Sequence, residues 1–330
     1  MRILVTGGAG YVGGFAARHL LASGHDVVVL DNLCTGHREA VPEEILIIGD
    51  IGERAVLDRV LSEHRIEAVM HFAASAYVGE SVRDPRSYYR NNVVNTLTLL
   101  EAMQDQGVTR LVFSSTCAIY AETEQMPLAE DSARDPASPY AFSKLAIERM
   151  ITDFSRAYGL DYVLLRYFNA AGASPDGSHG EDHRPETHLL PLALQTVLGQ
   201  RDKLEVYGKD YPTPDGTCIR DYVHVEDLAQ AHELAIRTTT DARPETGRIF
   251  NIGTGTGHSV LEVLRTLERV TGKPIPFDMA PRRPGDTARL VASSERIRKE
   301  LGWKPRYEEL DRIAASAWEW HRTHPEGYVG

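Results

Sequence analysis

The feature that most limits what this chain can fold into stands at its start. A short apolar run, Ile3–Thr6, leads directly into Gly7-Gly8-Ala9-Gly10-Tyr11-Val12-Gly13 and then into an amphipathic segment over about 13–23. Three spaced glycines between a strand and a helix allow a tight turn and let an anionic group approach the backbone at the positive end of the helix. A second apolar run, Val27–Leu30, ends in Asp31. A carboxylate at that position accepts hydrogen bonds from ribose hydroxyls and repels a 2′-phosphate. Strand, glycine turn, helix, strand and acid in this order predict a dinucleotide site, with NAD favoured over NADP; Arg38, a few residues on and able to reach a phosphate, is the feature that argues the other way.

The rest of the first half repeats the pattern. Strand-like runs at 45–48, 68–72, 111–115 and 162–166 alternate with helical segments at about 53–63, 88–106 and 140–158. Short apolar strands alternating with helices predict a doubly wound parallel α/β sheet of the Rossmann type. After Asn169 the texture changes: 172–186 reads as a polar loop, 189–198 as a helix, 204–207 as a strand, 225–236 as a helix, 248–252 as a buried strand and 259–271 as a helix capped by Ser259. The expected division is a cofactor domain over 1–170, with a return segment at about 220–255, and a smaller substrate lobe built mainly from 171–330.

Composition narrows the partners. A formal net charge of -11 disfavours nucleic acid and anionic membrane surfaces. No apolar run approaches the ~18 residues of a membrane helix. Cys34, Cys117 and Cys218 are widely spaced and form no metal-binding pattern, so reduced thiols, a cytoplasmic setting and no metal site are expected.

The chemistry is expected near Tyr140-Ala141-Phe142-Ser143-Lys144, which opens the helix following the strand that ends in Ser114-Ser115-Thr116. Residues i and i+4 share a helical face. The strand end and the helix start border the ligand crevice of such a sheet. Positive charge beside Tyr140, from Lys144 and an oxidised nicotinamide, is expected to lower the phenol pKa and make it a base toward a substrate alcohol.

TGGAGYVG, FSSTCAIY and YAFSK together resemble the extended short-chain dehydrogenase/reductases. DNLCTGH, HFAASAYVGESV, RYFNAAGA, GKDYPTPDGTCIRDYVHVEDLA, RRPGDTARLVASS and AWEWHRTHPEGY resemble, more narrowly, the UDP-glucose 4-epimerases of that group, over nearly the whole chain. The resemblance implies interconversion of UDP-glucose and UDP-galactose through transient oxidation at C4 with tightly bound NAD, in a homodimer whose helices near 88–106 and 140–158 pair. It implies that Gly7, Gly10, Tyr11 and Val12 cradle the pyrophosphate, that Asp31, Asn32 and Thr35 hold the adenosine, and that Asp50 and Ile51 contact adenine. Phe72, Ala73, Ala74, Asn91, Ser114 and Tyr167 then line the cofactor cleft. Thr116, Tyr140 and Lys144 become the catalytic set, and Asn169, His188, Leu189, Tyr207, Arg220, Arg283 and Asp286 join Thr116 and Tyr140 at the UDP-sugar.

Some positions depart from that pattern. Thr116 stands where many relatives carry serine, Ala76 where some carry a lysine near the phosphates, and Leu290 where a large aromatic in some relatives excludes N-acetylated sugars. UDP-GlcNAc/GalNAc, UDP-xylose and UDP-glucuronate thus stay as alternative substrates. A 4,6-dehydratase would place an Asp-Glu pair after the threonine, where this chain has Cys117-Ala118. A non-catalytic NAD sensor is disfavoured because Tyr140 and Lys144 are both intact.

Overall fold

The structure is a computed structural model and describes residues 1–239, 248–283 and 285–329. The centre of the predicted return segment, 240–247, lies outside the described residues. In chain order the first half comprises β1 (Arg2–Thr6), α1 (Tyr11–Ala22), β2 (Asp26–Asp31), β3 (Leu46–Ile48), α2 (Arg54–Glu63), β4 (Ala68–His71), α3 (Val78–Arg83), α4 (Pro85–Tyr88), α5 (Asn95–Asp105), β5 (Arg110–Thr116), α6 (Pro139–Tyr158) and β6 (Asp161–Tyr167). The second half comprises β7 (Asn169–Ala171), α7 (Leu189–Val197), β8 (Leu204–Tyr207), β9 (Ile219–His224), α8 (Val225–Thr238), β10 (Arg248–Ile252), β11 (Gly257–Ser259), α9 (Val260–Thr271), β12 (Phe277–Ala280), β13 (Arg289–Leu290), α10 (Glu295–Leu301) and α11 (Leu310–Thr323).

Seven strands form one sheet in the order β10-β6-β5-β4-β1-β2-β3, with every neighbouring pair parallel. Successive strand residues face opposite sides, so a sheet covered on both faces needs apolar residues at every position. β1 does this: Ile3 and Val5 pack with Ala17 and Leu20 of α1 and Leu228 and Ala231 of α8, whereas Leu4 packs with Leu57 and Leu61 of α2 and Leu99 of α5. A third core joins Leu190 and Leu194 of α7, Val206 of β8, Leu264 and Leu267 of α9, and Ile313 and Ala317 of α11.

Two local features position the site. Ser138 caps α6, its Oγ accepting the Ala141 N–H at 3.2 Å with Pro139 in the first turn, and this fixes where Tyr140 enters the helix. The helix expected over 88–106 forms without a break, but between α4 and α5 it widens into a π-helical stretch, Tyr89–Val94. That wider turn holds Asn92, fully buried, whose amide donates to the Ser75 carbonyl at 3.0 Å and to Ser143 Oγ at 2.9 Å. The loop after β4 is thereby tied to α6. Among the described residues no helix is long and apolar enough to cross a membrane.

Candidate active site

The glycine turn forms a cradle at the C-terminal edge of the sheet. Gly7 has φ +72°, and a Cβ there would lie 2.5 Å from the Ala73 backbone nitrogen; one on Gly13 would lie 2.2 Å from the Gly7 carbonyl oxygen. Neither backbone neighbour is free to move aside, so side chains are excluded on the inner wall of the turn. The first turn of α1 carries no capping side chain and no acidic residue. The leading N–H groups at Tyr11 and Val12 are thus available to an anion. The Tyr11 phenol serves another purpose, donating to the Gly172 carbonyl at 2.6 Å across to the smaller lobe.

Asp31 is buried at the end of β2, and its oxygens accept the N–H groups of Ala9 at 2.9 Å and Leu33 at 2.8 Å. Burial raises its pKa, and those two donors oppose the rise. Asn32 donates to Asp50 Oδ2 at 2.7 Å, and Asp50 Oδ1 takes the Gly52 N–H at 2.7 Å. These bonds place Asp31, Asn32 and Asp50 together beside buried Ile51, while Thr35 is exposed. Phe72 and Ala73 both donate their N–H to the Thr6 carbonyl, at 2.9 and 3.0 Å, and Asn91 donates to Ser75 Oγ at 3.1 Å. Half-buried Ala74 lies between Ala73 and Ser75. The residues fit a dinucleotide: a side-chain-free turn, uncapped donors and a buried carboxylate. Asp31→Asn turns an acceptor toward two N–H donors into an amide, and is expected to weaken NAD binding about 10- to 100-fold, read by titration of cofactor-stripped protein.

The hydroxyl, the tyrosine and the lysine meet at the end of β5. Thr116 Oγ1 accepts the Ala118 N–H at 3.1 Å, holding the threonine at the mouth of the strand. Lys144, 4% exposed, donates to the Ser114 carbonyl at 2.9 Å and sits 4.8 Å from the Phe113 ring centroid. Ser114 Oγ in turn donates to the Tyr167 hydroxyl at 2.9 Å. Burial drops the Lys144 pKa to about 7, with Glu148 opposing. The phenol of Tyr140 behaves differently from the sequence-based expectation: burial first, and Tyr167 next, push its pKa up, and the Thr116 hydroxyl opposes only in part. The protein's own groups therefore hold Tyr140 neutral.

The depressed ammonium has a consequence for stability. The unfolded chain binds a proton on this lysine up to about pH 10.4, the folded chain only to about 7. Folding is thus penalised most below pH 7, and the penalty fades as pH rises toward the unfolded value. Lys144→Met is expected to raise Tm at pH 6–7 and to lose that advantage by pH 10, as measured by thermal melts across the range.

At the smaller lobe the structure gathers Arg220, Arg283, Asp286 and Tyr207. Arg283 Nε donates to Asp286 Oδ2 at 2.9 Å, and its guanidinium lies 5.0 Å from the Tyr207 ring centroid. Arg220 Nη2 is 3.5 Å from Asp286 Oδ1, and its Nη1 donates to the Ile219 and Thr287 carbonyls, both at 2.9 Å. The adjacent Asp221 is not its partner: fully buried, it accepts the N–H groups of Thr254, Gly255 and Ala292 at 2.8, 3.0 and 3.1 Å. Two guanidiniums close to one carboxylate suit a diphosphate with a ribose beside it. Asn169 opens β7, which runs parallel to β9 at Tyr222. Leu189 begins α7, and His188 before it is engaged by two glutamates, its Nδ1 lying 2.5 Å from Glu181 Oε1 and 3.5 Å from Glu186 Oε1. Burial works against charge on that ring, but the glutamates outweigh it and raise its pKa to about 10. Leu290 packs on Cys117, Tyr120, Leu128 and Phe168.

Sequence reasoning missed the support beneath β5. Arg166 is fully buried and donates to both Glu148 oxygens, at 2.9 and 2.7 Å, and to the Tyr120 hydroxyl at 2.9 Å. Ser115 Oγ donates to the same carboxylate at 2.6 Å. The available signal was Glu148 itself, one helical turn beyond Lys144 on the same face.

A doubly wound sheet with an uncapped glycine turn and a Thr-Tyr-Lys set at the end of β5 defines a nucleotide-dependent dehydrogenase type of site, and the chain belongs to the NAD dependent epimerase/dehydratase family, whose pattern it matches over residues 3–253. Within that family it is similar to UDP-glucose 4-epimerases. It is 51% identical to that of Lacticaseibacillus casei over 329 residues, 99% of each chain. The Brucella ovis UDP-glucose 4-epimerase, solved in complex with NAD, superposes with a TM-score of 0.91 at 46% identity, over 96% of this chain and 97% of that one. The Bifidobacterium longum UDP-glucose 4-epimerase, solved with NAD+ and UDP, gives 0.94 at 38% identity, over 99% of this chain and 100% of that one.

Proposed function

We propose that this chain interconverts UDP-glucose and UDP-galactose by reversible oxidation at C4, with NAD retained as a bound cofactor. The observation that carries this reading is the Thr116 hydroxyl acting on the Tyr140 phenol at the end of β5, where Lys144 is anchored on the Ser114 carbonyl. Gly7, Gly10, Tyr11 and Val12 would hold the pyrophosphate and Asp31 the adenosine ribose. Bound NAD supplies the acceptor and donor for the C4 hydrogen and, when oxidised, the positive charge that the buried phenol lacks. Once that charge has drawn off its own proton, Tyr140 as phenolate would accept the proton of the 4-hydroxyl, with Thr116 orienting that hydroxyl, and would return it to the C4 oxygen after the sugar has turned over. Lys144, anchored on the Ser114 carbonyl, positions the cofactor ribose. Arg220 and Arg283 fix the diphosphate and Asp286 the uridine ribose while the sugar turns over.

The proposed division is a cofactor lobe over 1–170 and a substrate lobe mainly over 171–330. A homodimer is part of the reading. Val94 and Leu97, at the start of the helical stretch predicted to pair, and Phe142, on the other predicted helix, expose 51%, 37% and 50% of their surface. Apolar side chains grouped on neighbouring helices favour burial against a second copy. A cytoplasmic setting fits the unpaired Cys34, Cys117 and Cys218.

The test is to incubate the purified chain with UDP-galactose and no added NAD and to follow the product by proton NMR. An equilibrium mixture with UDP-glucose is expected. An absolute need for fresh NAD at each turnover, or no conversion with NAD supplied, would overturn the reading.

A further inference from the structure

The loop between β7 and α7 brings together Glu181, His183, Glu186 and His188, one ligand atom from each lying within 4.8 Å of all the others. The imidazole nitrogens His188 Nδ1 and His183 Nδ1 are 2.5 and 3.2 Å from the same oxygen, Glu181 Oε1. The Glu186 carboxylate closes the group, at 3.6 Å from His183 Nδ1 and 3.5 Å from His188 Nδ1.

Four groups this close invite reading as paired hydrogen bonds, and the alignment does not support it. Glu181 is only 4% exposed, yet its Oε1, together with His183 Nδ1, is buried without a hydrogen-bond partner. Buried polar atoms are rarely left so. Around a tetrahedral ion with bonds of about 2.0–2.1 Å, ligand atoms sit about 3.3 Å apart; three of the spacings found here, 3.2, 3.5 and 3.6 Å, lie close to that value, and His188 and Glu181, at 2.5 Å, would part slightly to admit the ion. An ion that displaces the imidazole protons is balanced in charge by the two carboxylates.

The surroundings hold the ligands in place. Glu186 Oε1 accepts the N–H groups of Thr187 and His188 at 2.6 and 2.8 Å, which orients its carboxylate. The Glu181 carbonyl accepts Trp320 Nε1 at 3.0 Å from α11. Next to it, Asp182 Oδ2 accepts the Tyr328 N–H at 3.0 Å. Such outer partners are what fix ligand direction in metal sites. The edges of the Tyr11 and Tyr77 rings pack on His183 at centroid distances of 6.2 and 6.3 Å. The cluster therefore borders both the start of α1 and the loop after β4.

We propose that Glu181, His183, Glu186 and His188 bind one divalent cation of the zinc class, which fixes the shape of the 181–188 loop where His183 packs on Tyr11 and Tyr77. Two imidazoles and a set of four protein ligands select zinc over magnesium or calcium, which take six or more oxygens. Four protein ligands complete a tetrahedral shell, so the ion is structural and takes no part in the reaction at C4. The sequence signal is E-x-H-x-x-E-x-H over 181–188, hidden because the segment reads as a polar loop.

The test uses the full chain, purified without a metal-affinity tag, and measures metal content by plasma mass spectrometry. About one zinc per chain is expected. Chelation should lower Tm, with recovery on adding Zn²⁺ but not Mg²⁺. Replacement by Co²⁺ should give the intense visible bands of a tetrahedral site. Glu186→Gln and His183→Ala should each lose the ion and the chelator response, with far-ultraviolet circular dichroism checking that each variant folds. A parent chain that holds no metal, shows no chelator effect and develops no cobalt bands would overturn the proposal and leave the cluster as an imidazolium–carboxylate ion group.

Discussion

Tyr140→Phe is expected to lower turnover of UDP-galactose by about 10²- to 10⁴-fold while leaving cofactor retention and Tm near those of the parent. Only the phenolic oxygen is lost, and the ring keeps its place at the start of α6. The contrast with Lys144 gives the result its meaning. Lys144 is held on the Ser114 carbonyl and the Phe113 ring, with Glu148 the charge acting on it. Lys144→Met is expected to loosen the cofactor as well as slow turnover, because its assigned role is to position. Steady-state rates set beside the NAD-to-protein absorbance ratio separate the two. A Tyr140→Phe variant that still epimerises at a tenth of the parental rate would remove Tyr140 from the proton path.

The second large effect is on stability. Arg166 has no exposed surface and is held by Glu148 through two charge-assisted bonds, with the Tyr120 hydroxyl and the Glu130 carbonyl taking a third and fourth. Burial works against its charge, but Glu148 more than restores it and raises the guanidinium pKa. Glu148→Ala leaves that cation buried and uncompensated, at a cost of about 3–5 kcal/mol. Replacing both partners, as Glu148→Leu with Arg166→Met, is expected to recover most of the loss because no charge is then stranded. Denaturant melts of Glu148→Leu, Arg166→Met and the double variant check this. Equal, additive losses would mean that the pair is not coupled. Because Ser115 and the β5–α6 contact rest on the same carboxylate, the single variant is also expected to disturb Thr116, one residue further along the strand.

The main sheet was legible because its central strands are buried on both faces and read as largely apolar runs, and the glycine turn stands between the first of them and its helix. What escaped reading depends on contacts between distant residues. β12, over Phe277–Ala280, is largely exposed and, among the described residues, pairs only with β8, so its sequence carries no burial pattern. The helix near 88–106 is there, but its π-helical widening at Tyr89–Val94 has no local signal, because it accompanies burial of Asn92 against Ser75 and Ser143. Arg220 and Asp221 are neighbours in sequence, but they part in the fold. In a strand, neighbours face opposite sides, so Asp221 turns to the loop at Thr254 and Arg220 finds Asp286 instead. The elevated phenol of Tyr140 was equally invisible, since the sequence places Lys144 on its face of the helix but not the carbonyl that claims the ammonium.

The most direct test of reversible oxidation at C4 is to supply UDP-galactose carrying deuterium at that carbon and to determine, by NMR and mass spectrometry, where the label stands in the UDP-glucose formed. Deuterium kept at C4 of the epimerised product, with none washed into solvent, is the expected result. Loss of the label to water, or its retention at C4 with no inversion, would contradict the assignment of Thr116, Tyr140 and Lys144 to this chemistry.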